Sequence, residues 1–121
     1  MARILVAEDE EALRAFVVRA IAQDGHEVLA AADGGEALEV LTREQGRFDL
    51  LLTDNRMPVM DGIALALAAA RDFPDLTILL MTGYADQRER ARGLESIVAD
   101  VLTKPFSLAE LRATVARVLG S

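Results

Sequence analysis

Apolar positions along this chain fall into short continuous runs, separated by stretches in which they recur every three or four residues. The runs are Ile4–Ala7, His26–Ala31, Phe48–Thr53, Thr77–Thr82 and Ile97–Thr103. Runs of this length bounded by turn residues read as buried strands. Between the first two, Leu13, Phe16, Val17, Ala20 and Ile21 occupy one face of a helix, and Gly25 supplies a C-terminal stop. A second helix is predicted from Asp33 as N-cap, with Glu36 three residues on and Ala37, Leu38 and Leu41 facing inward. A third, Asp61 to Arg71, holds the uncharged run Ile63–Ala70, in which Ile63 and Leu67 share a face and Leu65 points nearly opposite. At least one of these leucines should be partly exposed, either because alanine and leucine are simply good helix formers or because a partner covers them. The last helix starts at Ser107, with Glu110 three residues on and Leu108, Leu111, Val115 and Val118 as its apolar positions. From Gly83 to Gly93 the apolar anchors are few beyond Ala85 and Ala91, so a helix there should be short and loosely tied to the core. Strand and helix alternate five times, which predicts a doubly wound α/β domain around a parallel sheet.

The chemistry sits where the strands end. Asp54 closes the third run and leads into Asn55-Arg56-Met57-Pro58-Val59-Met60-Asp61-Gly62, while Glu8-Asp9 follows the first run directly. Open α/β sheets place ligands at the carboxyl ends of their strands. Two carboxylate clusters there point to a hard-cation site with one reactive aspartate. Each element also has a plainer reading by itself. Asp54 would be a turn residue, Glu8–Glu11 a favourable acidic first turn, Asp61-Gly62 a helix start, Lys104 a solvated lysine and Thr82 a strand end. His26, at the start of a predicted strand, is expected to be solvated and is given no role.

Composition narrows the function. The 121 residues suffice for one domain, expected to span 1–121 with no separate output domain. No apolar stretch approaches the roughly 20 residues of a membrane span, and Met1-Ala2-Arg3 leads straight into a strand, leaving no room for a signal peptide. There is no cysteine, hence no disulfide and no thiolate chemistry, and a cytoplasmic location is expected. A net charge of −7 opposes direct binding to nucleic acid.

Taken together, Ile4–Glu10, Asp49–Asp54, Met57–Gly62, Met81–Tyr84 and Leu102–Phe106 resemble the receiver domains of two-component response regulators over the whole chain. The resemblance implies a flavodoxin-like five-stranded parallel sheet in the order 2-1-3-4-5. It implies that Asp54 is the phosphoacceptor, taking a phosphoryl group from a histidine kinase or a histidine phosphotransfer protein. Mg2+ would be held by Asp9, Asp54 and the backbone carbonyl of Arg56, with Glu8 acting nearby. Lys104 and Thr82 would contact phosphoryl oxygens, and Pro105 would follow a bond that is often cis in the family. The implied role is a signalling module that acts on a downstream protein target, as a monomer or a phosphorylation-dependent dimer. It would not be an enzyme, although slow self-dephosphorylation is expected.

Two positions depart from the family pattern: Val101 stands where an aromatic switch residue is usual, and Asn55 where an apolar residue is common. Arg56, two residues after Asp54, and Tyr84, two after Thr82, stand where the family's residues flank the phosphoryl group and influence how quickly water reaches it. Thr82, Tyr84 and Val101 are therefore the switch candidates: either Tyr84 and the Asp86–Arg92 segment take over the response, or Tyr84 merely lines the site and the response is a shift of backbone alone. Other classes fit less well. An aspartyl phosphatase would need a second aspartate where Arg56 stands, and an FMN carrier would not follow its first strand with four carboxylates. A receiver that no longer takes phosphate would not keep the acidic and lysine positions. Among single-domain receivers, Arg3–Asp9 and Met81–Tyr84 are similar to the CpdR-type cell-cycle regulators, which direct substrates to a protease.

Overall fold

The computed structural model describes residues 1–83 and 93–120. Along the chain run β1 (Arg3–Ala7), α1 (Glu11–Gln23), β2 (Glu27–Ala31), α2 (Gly34–Arg43), β3 (Leu50–Asp54), α3 (Gly62–Asp72), β4 (Thr77–Thr82), β5 (Asp100–Thr103) and α4 (Leu108–Val118). All strand pairs are parallel, and the order is β2-β1-β3-β4-β5. The expected flavodoxin-like order is the observed one.

Alternating side chains send each strand's residues into two cores. Leu5, Leu51, Ile78 and Leu80 pack with Ala37 and Leu41 of α2 and Leu65, Ala66 and Ala69 of α3. Ile4, Val6, Leu50, Leu52, Leu79 and Met81 pack with Val17 and Ile21 of α1 and Leu111 and Val115 of α4. This two-sided burial is why the strands read as continuous apolar runs.

Caps fix the helix starts. Asp33 accepts from the Glu36 N–H at 2.8 Å, and Glu36 reaches back to Ala32 rather than to the cap itself. Asp61 accepts from the Ala64 N–H, and Ser107 with Glu110 closes a complete capping box. Gly25, at φ +91, ends α1 as expected.

Some expectations are corrected. Phe16 lies at the margin of the α1 stripe and is 39% exposed, and Leu108, in the first turn of α4, is also exposed. The fifth strand is shorter than its apolar run, because Ile97 and Val98 both donate backbone hydrogen bonds to the Leu94 carbonyl in a turn. His26 is half-buried and accepts a hydrogen bond from the Ala2 N–H at 2.9 Å, so it is not merely solvated. Of the α3 leucines, Leu65 is fully buried and Leu67 is 46% exposed, as the spacing required. The expected helix within Gly83–Gly93, together with Tyr84 and Asp86–Arg92, lies outside the described residues. No helix among the described residues is long and apolar enough to cross a membrane.

Leu51 is fully buried between β1 and β4. Leu51→Ala should lower the unfolding free energy by about 2–5 kcal/mol in urea denaturation, without a change in m-value.

Candidate functional site

Register brings the strand ends to one line. Ala7 stands opposite Thr53, Asp54 opposite Met81, and Thr82 opposite Thr103. Glu8 and Asp9, just beyond β1, therefore meet Asp54 at the end of β3, beside the ends of β4 and β5. One carboxylate oxygen from each of Glu8, Asp9 and Asp54 lies within 4.8 Å of the other two. Asp54 is 5% exposed, Glu8 is buried and Asp9 is exposed.

Lys104, directly after β5, enters this group of anions. Its Nζ lies 2.8 Å from Asp54 Oδ1 and 3.2 Å from Glu8 Oε1. The Lys104 N–H donates to the Thr82 carbonyl at 2.6 Å, which ties the lysine's backbone to the end of β4. The Lys104–Pro105 bond is cis, as expected. Asp54 Oδ1 also accepts from the Asn55 N–H at 3.0 Å, and Glu8 Oε2 from the Glu10 N–H at 2.9 Å. Thr82 is buried, and its hydroxyl has no hydrogen-bond partner among the described residues. Glu10, Leu13, Asp54, Arg56, Gly83, Lys104, Pro105 and Phe106 line an open cleft of about 530 Å³. Val101, three residues before Lys104, projects from β5 on the side away from the α1–α4 core and has no ring to turn inward.

The donor set is all oxygen and mostly carboxylate, the ligand chemistry of a hard divalent cation such as Mg2+. Glu8, Asp9 and Asp54 each offer a carboxylate oxygen that could hold such an ion, and each Glu8 oxygen also accepts one hydrogen bond, from Lys104 or from the Glu10 N–H.

Burial pushes the Glu8 carboxyl up from its ordinary 4.5 to about 6; the charge of Asp54 adds to this, and the Glu10 N–H and Lys104 oppose it. Burial also raises Asp54, against the hydrogen bond and charge of Lys104. Lys104 loses charge stability on burial, but Asp54 and Glu8 outweigh that and its pKa rises. The two partners move in opposite senses for their charged forms because burial outweighs the help of Lys104 at Asp54, whereas the two anions outweigh burial at Lys104.

Several residues shape the site in ways that their local sequence did not signal. Arg14 Nη1 donates to the Glu8 carbonyl at 3.0 Å and holds the peptide between the two acidic residues. A Cβ on Gly62 would collide with the Asp54 carbonyl oxygen, so only glycine lets α3 begin this close to Asp54. Asn55, noted only as a polar departure, is fully buried and anchors the loop, its N–H reaching the Met81 carbonyl at 2.9 Å.

Residues 4–116 match the response regulator receiver domain family. The chain belongs to this family. The receiver is 41% identical over 119 residues to the response regulator receiver protein CpdR of Brucella abortus, covering 98% of each chain. It spans half or less of the length of other curated relatives that it matches, 12% of one and 50% of another. Among solved structures, the chemotaxis response regulator CheY4 of Vibrio cholerae is 32% identical with a TM-score of 0.85, covering 98% of each chain. The response regulator TrrA of Thermotoga maritima, solved in complex with Mg2+-BeF, is 29% identical with a TM-score of 0.84, covering 98% of this receiver and 99% of that chain.

Because the folded Glu8 binds its proton more tightly than the unfolded residue does, it contributes stability below about pH 4.5 that is lost as pH rises through about 6. In chelator, Glu8→Gln should therefore gain ~2 kcal/mol relative to the wild type between pH 4.5 and pH 7. Urea denaturation of both proteins across that range measures it, and parallel pH profiles would count against the buried, raised carboxyl.

Proposed function

We propose that this receiver is a stand-alone phosphoacceptor module, phosphorylated on Asp54 in a Mg2+-dependent reaction. The observation that carries the reading is the buried Asp54 carboxylate, held by Lys104 at 2.8 Å with Glu8 and Asp9 beside it. Asp9 and Asp54, with the Arg56 backbone carbonyl, would hold Mg2+. When bound, the cation neutralises anionic oxygens so that a phosphoryl group can approach a carboxylate.

The Asp54 oxygen attacks phosphorus on a phosphohistidine of a histidine kinase or histidine phosphotransfer protein. The new P–O bond forms as the P–N bond breaks, and the imidazole leaves with the electron pair. Lys104 is already against the acceptor oxygen and would transfer its contact to the phosphoryl group as a point charge. Thr82 has a hydroxyl not engaged among the described residues and would donate it to another phosphoryl oxygen. Leu13, Pro105 and Phe106 give the cleft mouth an apolar rim suited to a protein donor.

The stand-alone reading is supported by the match to CpdR over nearly all of both chains. Output then passes through a downstream protein that reads the phosphorylated surface, with the receiver monomeric or dimerising on phosphorylation. Slow self-dephosphorylation returns it to its resting state. A cytoplasmic location belongs to the same proposal and rests on the cysteine-free composition.

Phosphotransfer from a panel of histidine kinases, followed by radiolabel, tests this. Asp54→Asn and Asp9→Ala should abolish transfer, the first by removing the acceptor and the second by removing a ligand. Lys104→Ala should still be labelled but lose the change in partner binding. Undiminished labelling of Asp54→Asn would refute the acceptor assignment.

A further inference from the structure

We propose that Val59, held in a strained turn against the N-terminus of α2, is a positioning residue that sets the metal affinity of the site. The inference rests on the reading above, in which the Arg56 carbonyl is a metal ligand.

The loop after Asp54 is closed at its base, because the Gly62 N–H donates to the Asn55 carbonyl at 2.7 Å. Only residues 56–61 lie between these anchors, so the chain must reverse within six residues. Met57 is buried in the core and cannot move outward. Pro58 has a fixed φ and no N–H. The reversal falls on Val59, which has φ +70 and is spanned by a 2.8 Å hydrogen bond from the Met60 N–H to the Pro58 carbonyl. This is a three-residue γ-turn with a positive central φ, the rare and strained form. A β-branched residue is the least suited to it.

Burial does not explain a valine here, since Val59 is 85% exposed. What holds the turn is the wall opposite. A Cβ on Gly34 would overlap the Met60 carbonyl oxygen and lie 2.8 Å from its carbon, and a Cβ on Gly35 would come within 2.9 Å of Val59 Cγ1. The two glycines at the start of α2 therefore form a seat for Met60 and Val59. Strained backbone persists only where its surroundings over-determine it. The seat, the closing hydrogen bond and the buried Met57 do so here, and the stiff Val59 confines the turn to one geometry. Arg56, three residues earlier in the same closed loop, is thereby held ready for a cation rather than ordered by it.

Val59→Gly removes the strain and also the restriction. The loop should then occupy the competent geometry only part of the time, weakening Mg2+ binding by about tenfold if that fraction is about one in ten. In chelator, its melting temperature should stay level with the wild type or rise. Val59→Asn, which tolerates positive φ but is less free than glycine, should recover most of the affinity. Isothermal titration with Mg2+ alone and melts in chelator read all three proteins. Weaker binding by Val59→Gly with an undiminished melting temperature, rescued by Val59→Asn, supports the positioning role. Wild-type affinity in Val59→Gly overturns it while leaving the site reading intact. A parallel loss of melting temperature and affinity also overturns it, as a merely structural effect. Absence of Mg2+ binding by the wild type would overturn the site reading, and this inference with it.

Discussion

Three carboxylates forced together at the edge of a parallel sheet are the constraint around which this receiver is organised. Glu8, Asp9 and Asp54 would repel one another in any dielectric, and burial of Glu8 and Asp54 makes their charged forms costlier still. Lys104 is the internal answer. Its ammonium touches both buried carboxylates and favours their charged forms against burial. The same repulsion makes the group receptive to a divalent cation, and the same desolvation makes a paired lysine decisive. Stability and reactivity thus draw on one electrostatic balance.

The fold supplies that balance through ordinary means. Strand register aligns four carboxyl ends, and two cores, one on each face, make the sheet rigid enough for the alignment to hold. Side chains at the site are then set by backbone contacts. The Lys104 N–H is tied to Thr82, the Asn55 N–H to Met81, and the Glu8 carbonyl to Arg14. At the far end of β1, Arg3 gathers Glu27, Glu44 and the Arg47 carbonyl and stacks over the Phe48 ring at 4.5 Å. This clasp joins β1, β2, α2 and the approach to β3 where no chemistry is at stake.

What could be read from the sequence was whatever local pattern encodes. Continuous apolar runs marked the strands because both faces are covered, and Asp33, Asp61 and Ser107 announced helix starts through their own hydrogen bonding. Asp54 and Glu8-Asp9 were legible because acidic residues just after apolar runs are conspicuous. Contacts between distant segments were not legible. Lys104 meets Glu8 across 96 residues, a pairing of the buried carboxylate that its position alone did not reveal. Gly62 looked like a helix-start residue and Gly34 drew no notice, yet each is required by a backbone passing where its Cβ would be. Phe16 and Leu108 fit their helical stripes but lie at edges that no neighbour among the described residues covers, a matter of packing rather than period. Ile97 and Val98 were apolar enough for a strand, but a turn at Leu94 captured their N–H groups first.

The central claim is that the aspartate held by Lys104 becomes an acyl phosphate only when a divalent cation joins it. Borohydride reduces an aspartyl phosphate to homoserine, which leaves a permanent mark at the acceptor. The protein should be treated with acetyl phosphate in the presence or absence of Mg2+, reduced, digested and sequenced by mass spectrometry. Homoserine at position 54 alone, and only with Mg2+, is the predicted result. Homoserine at another aspartate, or equal conversion of Asp54 in chelator, would contradict the account.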